Sequence, residues 1–295
     1  MISLGIYEKA LPRDISWEKR LNLAKELGFN FVELSIDESD TRLARLDWSE
    51  EKIAQINAAI KKTGIPLYTL MLSGHRRYPL GSLDQKTRQK ALDMLKKAVI
   101  LAEKLGIRNI QLAGYDVFYE DKTALTREYF IEDLYKCVQF AAAHQVMLAI
   151  ETMDDPFINT LADVAQIKKQ IKSPWLQAYP DLGNLSAWSN EVAKDLEDHI
   201  ELIAAIHLKD TLPVTKTTPG KFKNVDFGKG CVDFKGLLKT LQRLGYEGTY
   251  TIELWSQETT ADPCQETARA KAFFDQIFAE LAIKQRPVAG IESRG

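Results

Sequence analysis

Eight times along the chain, a short β-branched or aliphatic run is followed by a longer stretch with apolar residues at three- and four-residue spacing. No other feature restricts the fold as much. The strand candidates are Leu4–Tyr7, Phe31–Ile36, Leu67–Leu72, Asn109–Leu112, Met147–Glu151, Leu176–Asp181, Ile203–Leu208 and Thr249–Leu254. Helical patterns fall between and after them, over residues 16–27, 49–63, 84–105, 127–145, 160–171, 188–199, 233–244 and 264–281. Gly28, Gly64, Gly106 and Gly245 each close a helical run just before a strand, so one supersecondary unit is being reused. Parallel neighbours need connections of a dozen or more residues, which these helices supply, and eight units can close without leaving an edge. The expected fold is therefore α/β: a single (β/α)8 barrel of parallel strands over residues 1–281.

A doubly wound open sheet is the main alternative. It would carry a glycine-rich phosphate loop after its first strand, whereas Tyr7-Glu8 runs into Lys9-Ala10-Leu11-Pro12. The segment from Asp210 to Val232 contains Pro213, Pro219, Gly220, Gly228 and Gly230, and is long for a strand-to-helix loop. A lid over the active face of the barrel is the expected role. From residue 282 to 295 the periodicity is lost, and the tail reads as disordered.

Composition removes several function classes. With 39 Lys and Arg against 41 Asp and Glu, there is no long-range positive field to gather nucleic acid. Cys137, Cys231 and Cys264 are odd in number and form no CxxC pair, which points to a reducing cytoplasm. No basic leader precedes an apolar run, and no stretch of about 20 apolar residues occurs, so neither export nor membrane insertion is expected.

Four consecutive strands in the second half end on a potential ligand: Glu151, Asp181, His207 and Glu253. A lone Glu at a strand end is commonly a cap or an ion-pair partner, and a lone His on an apolar strand is commonly a satisfied core residue. Coincidence on four strands is different. The C-terminal strand ends form the working face of such a barrel, and three carboxylates buried together cost several kcal/mol per ion unless a cation joins them. One divalent metal, Zn or Mn with Mg or Co as substitutes, suits this mixed oxygen and nitrogen set. An α-hydroxyketone could chelate that metal, which would stabilise the enediolate left when the adjacent carbon loses its proton. Two glutamates on opposite faces of that carbon would make the reaction an epimerisation.

The motifs Glu151-Thr152-Met153-Asp154, Tyr179-Pro180-Asp181-Leu182-Gly183-Asn184, Ile206-His207-Leu208-Lys209-Asp210 and Ile252-Glu253-Leu254-Trp255 resemble those of the xylose-isomerase-like TIM-barrel superfamily of sugar-phosphate isomerases and epimerases. The likeness spans almost the whole chain. Within that superfamily, Met71-Leu72-Ser73-Gly74-His75-Arg76-Arg77-Tyr78-Pro79 and Ala113-Gly114-Tyr115-Asp116-Val117 are similar to the L-ribulose-5-phosphate 3-epimerase family of bacterial ascorbate and pentose catabolism. The resemblance implies that Glu151 and Glu253 are both the acid/base pair and metal ligands, with Asp181 and His207 completing the shell. It also implies exchange of L-xylulose 5-phosphate with L-ribulose 5-phosphate by inversion at C3, by an isomerase that associates as a homodimer. Related ketose epimerases place a sugar-holding histidine three residues after the metal aspartate; here Asn184 stands there.

A phosphorylated ketopentose needs cationic or N–H donors. Ser73, His75 and Arg76 follow the third strand on the active face, and Lys209 lies two residues beyond His207, so all four are candidates for gripping substrate; Arg77 belongs to the same cluster, and Arg76 and Arg77 could instead form a solvated loop pair. Lys221, Lys223 and Lys229 on the long loop fit a solvated role, and Trp188 and Trp255 a packing role. Glu8 could equally bind a sugar hydroxyl or pair with a nearby Lys. His144 and His199 lie on helices away from the strand ends. The same metal and acid/base groups would also serve epimerisation of a free ketose, aldose–ketose isomerisation or dehydration of an inosose. A non-catalytic barrel would have lost one glutamate, and an apurinic endonuclease would need more than the four histidines here.

Overall fold

The computed structural model describes residues 1–189, 191–260 and 262–290. Eight strands form, β1 Ser3–Tyr7, β2 Phe31–Ile36, β3 Leu67–Leu72, β4 Asn109–Ala113, β5 Met147–Glu151, β6 Leu176–Tyr179, β7 Ala205–Leu208 and β8 Thr249–Ile252. Each pairs in parallel with its neighbour, in the order β6-β5-β4-β3-β2-β1-β8-β7. The seam between β6 and β7 closes through the bridges Ala178↔Ile203 and Asp181↔His207. The expected barrel is the fold.

Local chemistry sets the element ends. Ser16 and Ser49 accept the backbone N–H of Lys19 and Lys52, which starts the helices Trp17–Glu26 and Glu50–Thr63. Gly64 and Gly106 end their helices at φ +76° and +72°, where an L side chain would be strained. Thr123 and Thr126 cap each other, so the helix expected over 127–145 begins earlier, at Ala124. The helix expected over 188–199 is two helices, Leu182–Trp188 and Val192–Asp198. Pro180 has no N–H to continue β6, and Asp181 then accepts the Asn184 N–H at 2.7 Å and starts a helix at once. The apolar pattern of 182–188 does not display that cap.

The tail read as disordered is placed as far as Gly290. The Ile2 N–H donates to the Lys284 carbonyl at 2.9 Å, and the Arg286 N–H donates to the Ile2 carbonyl at 2.8 Å. Ile283 and Val288 pack on the core. These hydrogen bonds are to Ile2, just before β1 and distant in sequence, which helical periodicity cannot reveal. Residues 291–295 lie outside the described residues. Among those described, no helix is long and apolar enough to cross a membrane.

The loop from Asp210 to Val232 is anchored by one buried carboxylate. Asp210 accepts the N–H groups of Thr211, Gly228 and Gly230, each at 2.9 Å, and that of Val232 at 3.4 Å. A β-carbon on Gly230 would sit 2.0 Å from the Asp210 carboxylate, so only glycine permits this approach. Phe222 and Lys223 of the same loop reach the mouth of the barrel.

Candidate metal centre and active site

Alternate residues of each strand face the barrel axis. The second-half strands accordingly bring Glu151, Asp181, His207 and Glu253 together, all buried, with one donor atom from each within 4.8 Å of the others. The Nδ1 atom of His207 lies 2.8 Å from Glu151 Oε1. Lys209 Nζ stands 3.0 Å from Asp181 Oδ2 and 3.2 Å from Glu253 Oε2. Those two carboxylate oxygens are buried and still lack a hydrogen bond of acceptable geometry, because proximity of the ammonium does not supply the angle. Two orphaned oxygens beside a third carboxylate and an imidazole nitrogen fit a divalent cation.

The charges divide the carboxylates. Burial, reinforced by Glu253 and Glu151 and opposed by Lys209, pushes Asp181 up to about 7. Burial also raises Glu151 above the ordinary carboxylate range, against the pull of His207. Burial would raise Glu253 too, but Lys209 and His207 outweigh it and hold that carboxylate at about 2. For His207, burial disfavours the charge, yet Glu33 and Glu151 raise the imidazole well above its usual value.

A cavity of about 340 Å³ opens over the cluster. Ser73, Arg76, Asn184 and Lys209, four of the six expected substrate contacts, line it with Glu151 and Glu253. Asn184 is tied to the Thr152 carbonyl through Nδ2, leaving Oδ1 without a partner. The Arg76 guanidinium lies 5.4 Å from the Tyr115 ring centre and 5.2 Å from that of Phe118. Lys9 also lines the cavity, 2.7 Å from Asp37 and 3.4 Å from Glu258. Lys223, 5.0 Å from the Trp255 ring, is depressed by burial and by the nearby Arg76, Lys209 and Lys9 charges, with Glu253 opposing. Arg76, Lys223 and Lys9 thus share the cavity wall with the carboxylates of Asp37, Glu38, Asp154 and Glu258, two of which pair with Lys9.

His75 and Glu8 do not reach the cavity. The turn Ser73–Arg76 sends Ser73 and Arg76 inward and turns His75 back, so that its Nε2 lies 3.3 Å from the Ala91 carbonyl. Burial there lowers His75 to about 4 and keeps it neutral. Glu8 is fully buried and pairs with Arg42 and, at 2.6 Å, with Arg45. Trp255, expected only to pack, lines the cavity and meets Tyr7 edge-on at 6.3 Å. His144 and His199 pair with Glu103 and Asp195 on the helical layer.

Sequence reasoning missed the polar layer beneath the donors. Glu33, on β2, contacts His207 Nε2 at 2.7 Å. Gln111, on β4, donates to Glu151. The signal was present in the period-two alternation: Glu33 and Gln111 interrupt strands otherwise rich in Val, Leu and Ile.

Comparison with known proteins agrees with this geometry. The family described as xylose isomerase-like TIM barrel matches residues 21–277. The Escherichia coli K12 protein SgbU, which carries the L-ribulose-5-phosphate 3-epimerase name provisionally, is 51% identical over 277 residues, 94% of this chain and 96% of its own. The L-ribulose-5-phosphate 3-epimerase UlaE of Escherichia coli O157:H7 is 49% identical over 282 residues, 95% of each chain. Among solved structures, the 3-keto-D-glucoside 4-epimerase YcjR of E. coli superposes with a TM-score of 0.76 at 20% identity, over 94% of this chain and 100% of its own. At that identity the likeness is one of fold.

Proposed function

Because this chain belongs to the xylose isomerase-like TIM barrel family, we propose that it is an isomerase that interconverts L-xylulose 5-phosphate and L-ribulose 5-phosphate by proton transfer at C3. The observation that carries this reading is the pair Glu151 and Glu253 within one buried four-donor cluster, under a cavity of pentulose size.

Glu151, Asp181, His207 and Glu253 would hold the metal, with Zn or Mn the expected ion. When bound, it supplies Lewis-acid stabilisation of the negative charge that develops on the substrate oxygens. The chain's own groups do the rest. One glutamate takes the C3 proton from its face of the sugar and the other returns a proton to the opposite face; the reverse reaction exchanges their roles. Lys209 keeps the Glu253 carboxylate anionic while lowering its basicity, and Gln111 orients Glu151 by donating to it. Asn184 offers its unpartnered Oδ1 to a sugar hydroxyl. Phe222, 6.0 Å from Trp188, helps to exclude water at the mouth.

Arg76 and Lys223, which face each other's charge in the cavity, support a phosphorylated substrate over a free ketose or an inosose. Arg76, stacked and so pre-oriented, presents a planar fork, and an anion between it and Lys223 would relieve their repulsion. The assembly we expect is a homodimer, which light scattering tests.

Metal-loaded protein with L-xylulose 5-phosphate in deuterated water should place deuterium at C3 and form L-ribulose 5-phosphate. Exchange with a free ketose but none with this compound would refute the phosphate assignment. Glu253→Gln should lower turnover by about 10²–10⁴-fold with metal retained, and full activity in that variant would refute the two-base scheme.

A further inference from the structure

We infer that Glu33 is a positioning residue for the metal centre, holding the Nε2–H of His207 so that Nδ1 alone faces the donor cluster. The inference rests on the metal reading above.

An imidazole can ligate a metal only through a nitrogen without a proton, and the partner of its other nitrogen selects which one that is. The two nitrogens of His207 face opposite ways: Nδ1 towards Glu151 and the cluster, Nε2 towards Glu33 Oε1 at 2.7 Å. With the proton on Nδ1 alone, the Nε2 lone pair would point straight at a carboxylate oxygen. Glu33 cannot relieve that clash by turning, since its Oε2 accepts from Thr69 Oγ1 at 2.6 Å and from Tyr179 Oη at 3.0 Å. Tyr179 is itself held against Thr251 at 3.1 Å, and its ring lies 4.4 Å from the His207 ring. Side chains from four strands, β2, β3, β6 and β8, therefore fix one imidazole on β7.

The cost of Glu33 argues the same way. It is fully buried inside the barrel, and among the described residues no lysine or arginine pairs with it; His207 is its one ion-pair partner. Glu8, equally buried, has two arginines. A carboxylate kept at such a position without a permanent counter-charge would be cheaper as a packed apolar side chain, unless the histidine requires it.

The test reads the ring directly. In protein labelled with ¹⁵N at histidine and loaded with ¹¹³Cd, cadmium should couple to Nδ1 of His207 while Nε2 keeps its proton. Coupling through Nε2 overturns the inference and leaves the metal reading standing, whereas absence of bound cadmium overturns both. Separately, Glu33→Leu should weaken metal binding, measured by chelator competition, by about 10–100-fold, and Glu33→Gln, which keeps an acceptor, should recover part of that loss. An affinity for Glu33→Leu within about threefold of the parent would overturn the proposal. If the leucine variant does not fold, the cadmium measurement on the unsubstituted protein decides.

Discussion

Glu8 separates two roles that the sequence left open, and Glu8→Gln tests which one holds. In the fold its carboxylate is fully buried, pairs with Arg42 and Arg45, and accepts the Ser35 N–H at 2.8 Å. The glutamine leaves two guanidinium groups facing a neutral amide. Breaking a buried pair by neutralising one partner costs about 3–5 kcal/mol, and because Arg42 and Arg45 retain slight exposure, the lower figure of about 3 kcal/mol applies. With an unfolding entropy of about 2.1 cal/mol/K per residue, that corresponds to a melting point lower by roughly 5 °C at neutral pH. The penalty is pH-dependent with a definite sign. Burial raises the Glu8 carboxyl, but Arg45 and Arg42 outweigh it and leave the folded value below the ordinary one. Its contribution to stability is therefore complete above the unfolded value of about 4.3 and is lost as pH falls through the folded value. Calorimetric scans from neutral pH to below 4 should show the gap between parent and variant closing at the acid end. A variant as stable as the parent at neutral pH, but with KM raised about tenfold, would refute this reasoning and restore Glu8 as a sugar contact.

Three further substitutions or treatments read the site itself. Lys209→Met removes the ammonium that lowers Glu253, so the acid limb of the kcat/KM profile should move up by about one pH unit; an unmoved limb refutes the role given to Lys209. Arg76→Lys keeps the charge but loses the fork and the stacking between Tyr115 and Phe118, so KM for the phosphorylated pentulose should rise about 10–100-fold with kcat nearly constant. Equal affinity would show that the phosphate binds elsewhere. Dialysis against a chelator should abolish C3 exchange and lower stability by about 4 kcal/mol relative to protein with metal at a thousand times its Kd, and Zn or Mn should restore both.

The barrel was legible because its signal is local. β2, β3 and β5 have the bounds their apolar runs suggest, and the glycines after four helices lie in the left-handed region. The clustering of Glu151, Asp181, His207 and Glu253 was legible for a related reason: they occupy equivalent places at the ends of successive strands. What failed was anything decided by orientation within a turn or by a partner far away in sequence. His75 and Arg76 are neighbours, yet a single turn sends one to a helix backbone and the other to the cavity. Residues 284 and 286 are held by Ile2, a partner that helical periodicity does not reveal.

Acidic residues buried inside the barrel or at its strand ends show why such partners decide function. The composition of a strand states only that a carboxylate is present; its neighbours determine what it becomes. Glu8 is neutralised by two arginines and turns into structure. Glu33, 174 residues from His207, has that imidazole as its one charge partner among the described residues and so acts through it. Asp181 and Glu253 share one ammonium and keep orphaned oxygens, and that deficit is what a cation is drawn to fill. Lys209 contacts only two of the three carboxylates of the donor set. Arg76 and Lys223 line the same cavity as the donor cluster. A ligand whose oxygens complete the metal shell at one end and whose phosphate meets Arg76 and Lys223 at the other would fit that cavity in a single orientation, which is what inversion at one carbon requires.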